Sequence, residues 1–279
     1  MPRTTRARSR AVQNLLPNPE QQAWWFVKHL LRTSLQDTRS LLLTWTQTRQ
    51  TETLHQARVA WRRQKSLLKF YRPLLPEPPH RHNDALQTLW HLTGQLRNLD
   101  VALECTLPAW RQAHPDAGTH EWAGLVQQLH QDRQLARHDL AKEIARPRTT
   151  ARFQQLRTWM KRLDSVTLKV RRKSFEKWAQ HRLRRLHRKI KSQRHPFTPE
   201  RQHRCRILLK QERHALESLL ASQPNKKWQA QLKRVRKKQI AWGRAQDMQM
   251  VLNLIEGTGH CPDLTHAWRA SMGLLESSR

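Results

Sequence analysis

The chain has 279 residues, with 53 Lys and Arg against 21 Asp and Glu, a formal net charge of +32. Mean hydropathy is −0.88, and no apolar run approaches the ~20 residues of a membrane span. Three Cys without a C-x-x-C pair and only 7 Gly argue against a disulfide scaffold, a zinc ribbon or a Gly-rich phosphate loop.

No apolar h-region follows the basic N-terminus, so a reducing, cytoplasmic setting is expected. The 53 cations are 37 Arg and 16 Lys. Arg presents a planar fork that grips phosphate through paired N–H groups. An excess of this size repels itself in a compact chain, and a polyanion relieves the repulsion.

Residues 1–17 carry Arg3, Arg6, Arg8 and Arg10 without an acid and read as a basic disordered arm. Asn18, Pro19 and Glu20 supply the N-cap, first helical position and first-turn acid of a helix reaching Trp45. Thr51-Glu52 opens a second helix that ends before Pro73, and a proline-rich loop follows to Pro79. A third helix runs from about Arg81 toward Pro108, and a fourth from Thr119 to Arg146, closed by Pro147. A long basic stretch from Thr149 to Gln193, broken near Asp164-Ser165, starts a second series. His195-Pro196-Phe197 is a loop, and Thr198 caps a helix that ends near Gln223. Another helix runs from Asn225 to about Glu256, and a short one from Asp263 to about Leu275. No alternating β-branched pattern occurs, so the chain is expected to be all-α.

Two segments repeat. His55, Arg58, Val59, Arg62 and Lys65 match His203, Arg206, Ile207, Lys210 and Arg213 at an offset of 148 residues. Downstream, Arg97 and Asp100 match Arg244 and Asp247 at an offset of 147. Two motifs in the same order at nearly equal offsets imply two related four-helix halves, 18–147 and 148–279.

At about 100° per residue, His55, Arg58, Arg62, Lys65 and Lys69 share one stripe of their helix, opposite Val59, Ala60, Leu67 and Phe70. In the second copy His203, Arg206, Lys210 and Arg213 share a stripe opposite Ile207, Leu208, Ala215 and Leu219. A two-fold-like arrangement of the halves would bring both rows to one basic groove or channel. Scattered arginines such as Arg184 and Arg185 are expected to be a solvated face. Asp100 and Asp247 are expected to prop a motif arginine from a neighbouring helix. These features point to a linear polyphosphate-like anion.

The His55/Arg58/Arg62/Arg63 and Arg97/Asp100 segments, with His203/Arg206/Lys210/Arg213, resemble the CHAD family, the conserved histidine α-helical domain. The resemblance spans about residues 18–275. It implies two four-helix bundles related by pseudo-two-fold symmetry around a basic cavity. It also implies binding of inorganic polyphosphate and association with polyphosphate granules. The expected contacts are His55, Arg58, Arg62, Arg63, Lys65, Lys69, Arg97, His203, Arg206, Lys210, Arg213 and Arg244, with Asp100 and Asp247 behind them. The chain departs from the pattern at His214, where the family commonly has an aromatic, and at Glu217, which stands in the place of Lys69. The triphosphate-tunnel signature E-x-E-x-K often joined to such domains does not occur.

Three rival readings follow from the same residues. A charge of +32 binds DNA or RNA backbones non-specifically, although most of the 12 Trp lie in apolar helical patterns. Glu52-x-x-His55 and Glu200-x-x-His203 have the form of di-iron bundle ligands, but the adjacent arginines would repel a dication. Hydrolysis or transfer of phosphate needs metal-binding carboxylates or a nucleophile that the stripes lack. A binding protein without catalytic residues, metal or cofactor is therefore expected.

Overall fold

A computed structural model describes residues 19–77, 84–165, 172–193, 198–241 and 243–273. The arm at 1–17, the Asn18 cap and the 195–197 loop lie outside them. The regular structure of the described residues is helical, and no strand occurs among them. The helices are α1 Pro19–Thr48, α2 Thr51–Tyr71, α3 Asp84–Val101, α4 Leu107–Ala113, α5 Thr119–Ala145 and α6 Pro147–Arg162. They continue as α7 Arg172–Ser192, α8 Pro199–Ser222, α9 Lys226–Ala241, α10 Gly243–Thr258 and α11 Pro262–Ser271.

Proline sets several boundaries. A residue before proline is pushed out of the helical region. Arg146, before Pro147, has φ −63° and ψ 133° and ends α5. Thr198, before Pro199, is likewise extended, and its side chain accepts from the Arg201 N–H at 3.3 Å, the expected N-cap. Pro108 behaves otherwise. Instead of stopping the helix, it sits in the first turn of α4 after a π-helical segment, Ala102–Thr106. The wider π turn takes up the missing N–H and the ring's clash with the preceding turn. The expected break near Asp164 is a 3-10 turn at Leu163–Ser165.

The chain forms two compact units. One comprises the described residues of Met1–Ser40, Val59–Arg81 and Phe153–Gln239, the other those of Leu41–Arg58, His82–Arg152 and Ile240–Arg279. Both draw residues from each side of Pro147, the boundary expected between the repeats, and α1, α2, α6 and α9 run across the division.

In the first unit, the C-terminal end of α2 meets α7 through Phe70, Tyr71 and Trp178, whose rings lie 5.6–5.8 Å apart across the two helices. Tyr71 is fully buried, and its hydroxyl meets Ser218 Oγ of α8 at 2.8 Å. In the second unit, Leu99, Leu107, Trp110, Leu125, Val251 and Trp268 belong to one core. The Trp110 and Trp268 rings lie 4.6 Å apart, and the Trp268 indole N–H donates to the Met248 carbonyl at 3.1 Å. Gly118, before α5, has φ 54°, and a Cβ there would lie 2.5 Å from Leu264 Cγ. The site demands glycine on both counts.

Candidate functional site

α2 carries the first cationic stripe. Lys65 and Lys69 are exposed, and His55, Arg62 and Arg63 are half-buried. Arg58 departs from the expected outward row. Its Nη1 donates to Thr93 Oγ1 of α3 at 2.8 Å and reaches the Trp90 carbonyl at 3.4 Å. The guanidinium lies over Gly94, where a Cβ would meet it at 3.4 Å, an ordinary contact distance. Thr93 is fully buried, so Arg58 fastens α2 to α3.

α8 carries the second stripe. His203 is exposed, and Arg206, Lys210 and Arg213 are half-buried. Ala215 and Leu219 are buried as the helical period requires. Ile207, expected on the packed face, is 49% exposed. In the first unit the C-terminal part of α2 adjoins α8 through Tyr71 and Ser218, and Arg63 is close enough for its charge to act on His214.

The two departures from the family pattern organise this region. Glu217 Oε1 lies 3.0 Å from Arg236 Nη2 of α9 and 3.9 Å from Arg213 Nε. Glu217 Oε2 lies 3.4 Å from Nδ1 of the buried His214, and Arg213 Nη2 lies 3.5 Å from the other ring nitrogen. A neutral imidazole protonated at Nδ1 fits both contacts. Burial, chiefly, holds the His214 pKa below its ordinary value. Burial opposes ionisation of Glu217, but the His214 and Arg236 bonds and the Arg213 charge outweigh it and hold its pKa at about 2. Arg63, Arg213 and Arg236 thus come from three helices to the half-buried Glu217 carboxylate and the buried His214 imidazole. Arg236 has no counterpart in the repeated motif, so the sequence offered no signal for it.

Asp100 of α3 does hold an arginine from another helix, but the arginine is Arg133 of α5 rather than a motif residue. Arg133 Nε donates to Asp100 Oδ1 at 2.8 Å, and its Nη2 bonds Glu104. Asp100 is 1% exposed. Burial pushes its carboxyl up, and Arg133 opposes the rise. Arg137 lies one turn beyond Arg133, and its carbonyl accepts from Arg49 Nη1 at 3.3 Å. Arg49 has φ 55° and stacks on Trp45 at 4.7 Å. Asp100 was the available signal for this arginine group. Arg97 and Asp247 are half-buried, and the Arg244 side chain lies outside the described residues.

Other polar groupings have structural explanations. His120, Glu121 and Asp263 come together, and Glu121 accepts from the N–H groups of Asp263 at 3.2 Å and Leu264 at 2.8 Å, capping α11. Glu52 accepts from Gln56, and Glu200 lies exposed in the first turn of α8. In the first unit a cleft of about 630 Å³ is lined by Arg184, Lys227, Arg234 and Lys238 and by the buried Glu212, which accepts from Gln231 at 2.6 Å. None of the described Trp side chains is exposed.

The CHAD domain model matches residues 29–256. The chain belongs to the CHAD family. It is similar to the crystal structure of the CHAD domain from the plant Ricinus communis, with 25% sequence identity and a TM-score of 0.70. That similarity covers 91% of this chain and 92% of the plant domain. No curated protein matches the chain. The CHAD assignment accords with the doubled His and Arg motif and the all-helical fold. No described helix is long and apolar enough to cross a membrane.

Proposed function

We propose that this CHAD protein binds inorganic polyphosphate through the cations of α2 and α8, acts as a binding module rather than an enzyme, and gathers at polyphosphate granules. The observation that carries the reading is the adjoining of the two motif helices in one unit. Arg63, Lys65 and Lys69 of α2 and Arg206, Lys210 and Arg213 of α8 belong to that unit. A row of cations on adjoining helices suits a linear chain of phosphates, each neutralised by a nearby Arg or Lys. Free orthophosphate engages only one or two of them. The Trp residues support the choice over nucleic acid. Single-strand binders present aromatic faces for base stacking, and the described Trp side chains are buried or half-buried.

Competition tests the proposal. Long-chain polyphosphate is expected to displace bound single-stranded DNA at far lower phosphate concentration than DNA displaces polyphosphate. Orthophosphate at matched charge is expected to displace neither. Equal competition by orthophosphate would exclude an extended site, and preferential retention of DNA would favour nucleic acid.

A further inference from the structure

We propose that Glu217 is an internal competitor for bound phosphate, occupying a two-arginine seat formed by Arg213 and Arg236. This rests on the polyphosphate reading above. Glu217 stands where the repeat places Lys69, so a carboxylate replaces a cation at the matching step of the second stripe. The structure gives that carboxylate a defined place. Its Oε1 faces Arg236 Nη2 at 3.0 Å and Arg213 Nε at 3.9 Å. Its Oε2 faces His214 Nδ1 at 3.4 Å, and His214 is 2% exposed. Arg236 thus hydrogen-bonds one oxygen, and Arg213 and His214 lie within 4 Å of the carboxylate.

Guanidinium forks donate to carboxylate and phosphate oxygens in the same geometry. A seat that holds Glu217 also suits one phosphate of a polymer. Arg236 is exposed and Glu217 is 26% exposed at the side chain, so a polymer can approach from solvent. With Glu217 in place, a passing phosphate meets two arginines whose charge is partly answered and a like charge between them. Glu217 thus lowers affinity and shortens the run of phosphates engaged. Arg236 is a further contact residue, outside the repeated motif. Glu217 is a positioning residue for both arginines.

The test compares wild type, Glu217→Gln, Glu217→Asp and Arg236→Gln for binding of long-chain polyphosphate across a salt series. Glu217→Gln keeps the side-chain shape and removes the charge. It is expected to bind roughly threefold to tenfold more tightly, with a log–log salt slope steeper by about 0.7–0.9 for each added phosphate contact. Glu217→Asp should stay near wild type. Arg236→Gln should bind more weakly, with a shallower slope. A purely structural Glu217 would change melting temperature but not the slope. If folded Glu217→Gln keeps the wild-type affinity and slope, the seat is wrong although the polyphosphate reading stands. If Glu217→Gln does not fold, Arg236→Gln decides, and wild-type binding by that variant overturns the seat. If wild type prefers polyphosphate no more than orthophosphate, both proposals fall.

Discussion

Asp100 is buried at 1% exposure and tied to Arg133. Removing one partner of a fully buried ion pair costs up to about 3–5 kcal/mol, and here the loss is reduced because Arg133 keeps its bond to the more exposed Glu104. Asp100→Asn is therefore expected to lower thermal stability far more than Asp139→Asn, an exposed acid on the same helix as Arg133. Equal melting temperatures would show that Arg133 does not depend on Asp100. The Glu217 network adds a signature in pH. Glu217 has a folded pKa of about 2, below its ordinary 4.5. Its contribution is thus fully present above pH 4.5 and lost as pH falls toward 2. His214 is depressed below its ordinary 6.5, so unfolding takes up a proton below that pH and stability begins to fall there. Acid titration of stability should show both limbs in wild type. Glu217→Gln should lack the lower limb, and His214→Gln the upper. A titration unchanged by either substitution would contradict the network.

At the scale of elements, local chemistry and tertiary approach divide the work. The Thr198 cap, the Arg146-Pro147 boundary and the period of α8 were legible because each depends on neighbours in sequence. Pro108 was misread as a stop, since the π segment before it has no local sequence signature. Ile207 was misplaced because the wheel assigns an apolar side without showing how wide a face the neighbouring helices cover. Arg58 was read as an outward cation, and it is Thr93 and the Trp90 carbonyl on another helix that draw it onto α3. Gly118 makes the same point. Its positive φ fits a turn, but the 2.5 Å approach to Leu264 is tertiary. Gly118→Ala is expected to destabilise by roughly 2 kcal/mol or more, from left-handed strain and the clash. Gly124→Ala, on α5 where a Cβ meets nothing within 4 Å, should be neutral or mildly stabilising. Thermal unfolding of the pair checks this, and equal effects would contradict the packing at Gly118.

Across the whole molecule, a net charge of +32 makes the empty protein self-repelling and any bound polyanion stabilising. Fold class and family were readable from the doubled motif. The arrangement around Glu217 was not, because Arg63, Arg213 and Arg236 are brought together by three helices. Charge alone attracts any polyanion, so the central claim is that particular cations matter. The direct measurement is polyphosphate affinity for two variants of equal charge. One removes Lys65, Lys69 and Lys210 by alanine substitution, and the other removes the exposed Lys142, Arg157 and Arg188. Each charge-assisted contact is worth ~1.5–3 kcal/mol before solvent screening. The motif variant should therefore bind at least about tenfold more weakly, and the control less than about threefold. Equal weakening of the two would show diffuse charge attraction and contradict a role for the motif helices.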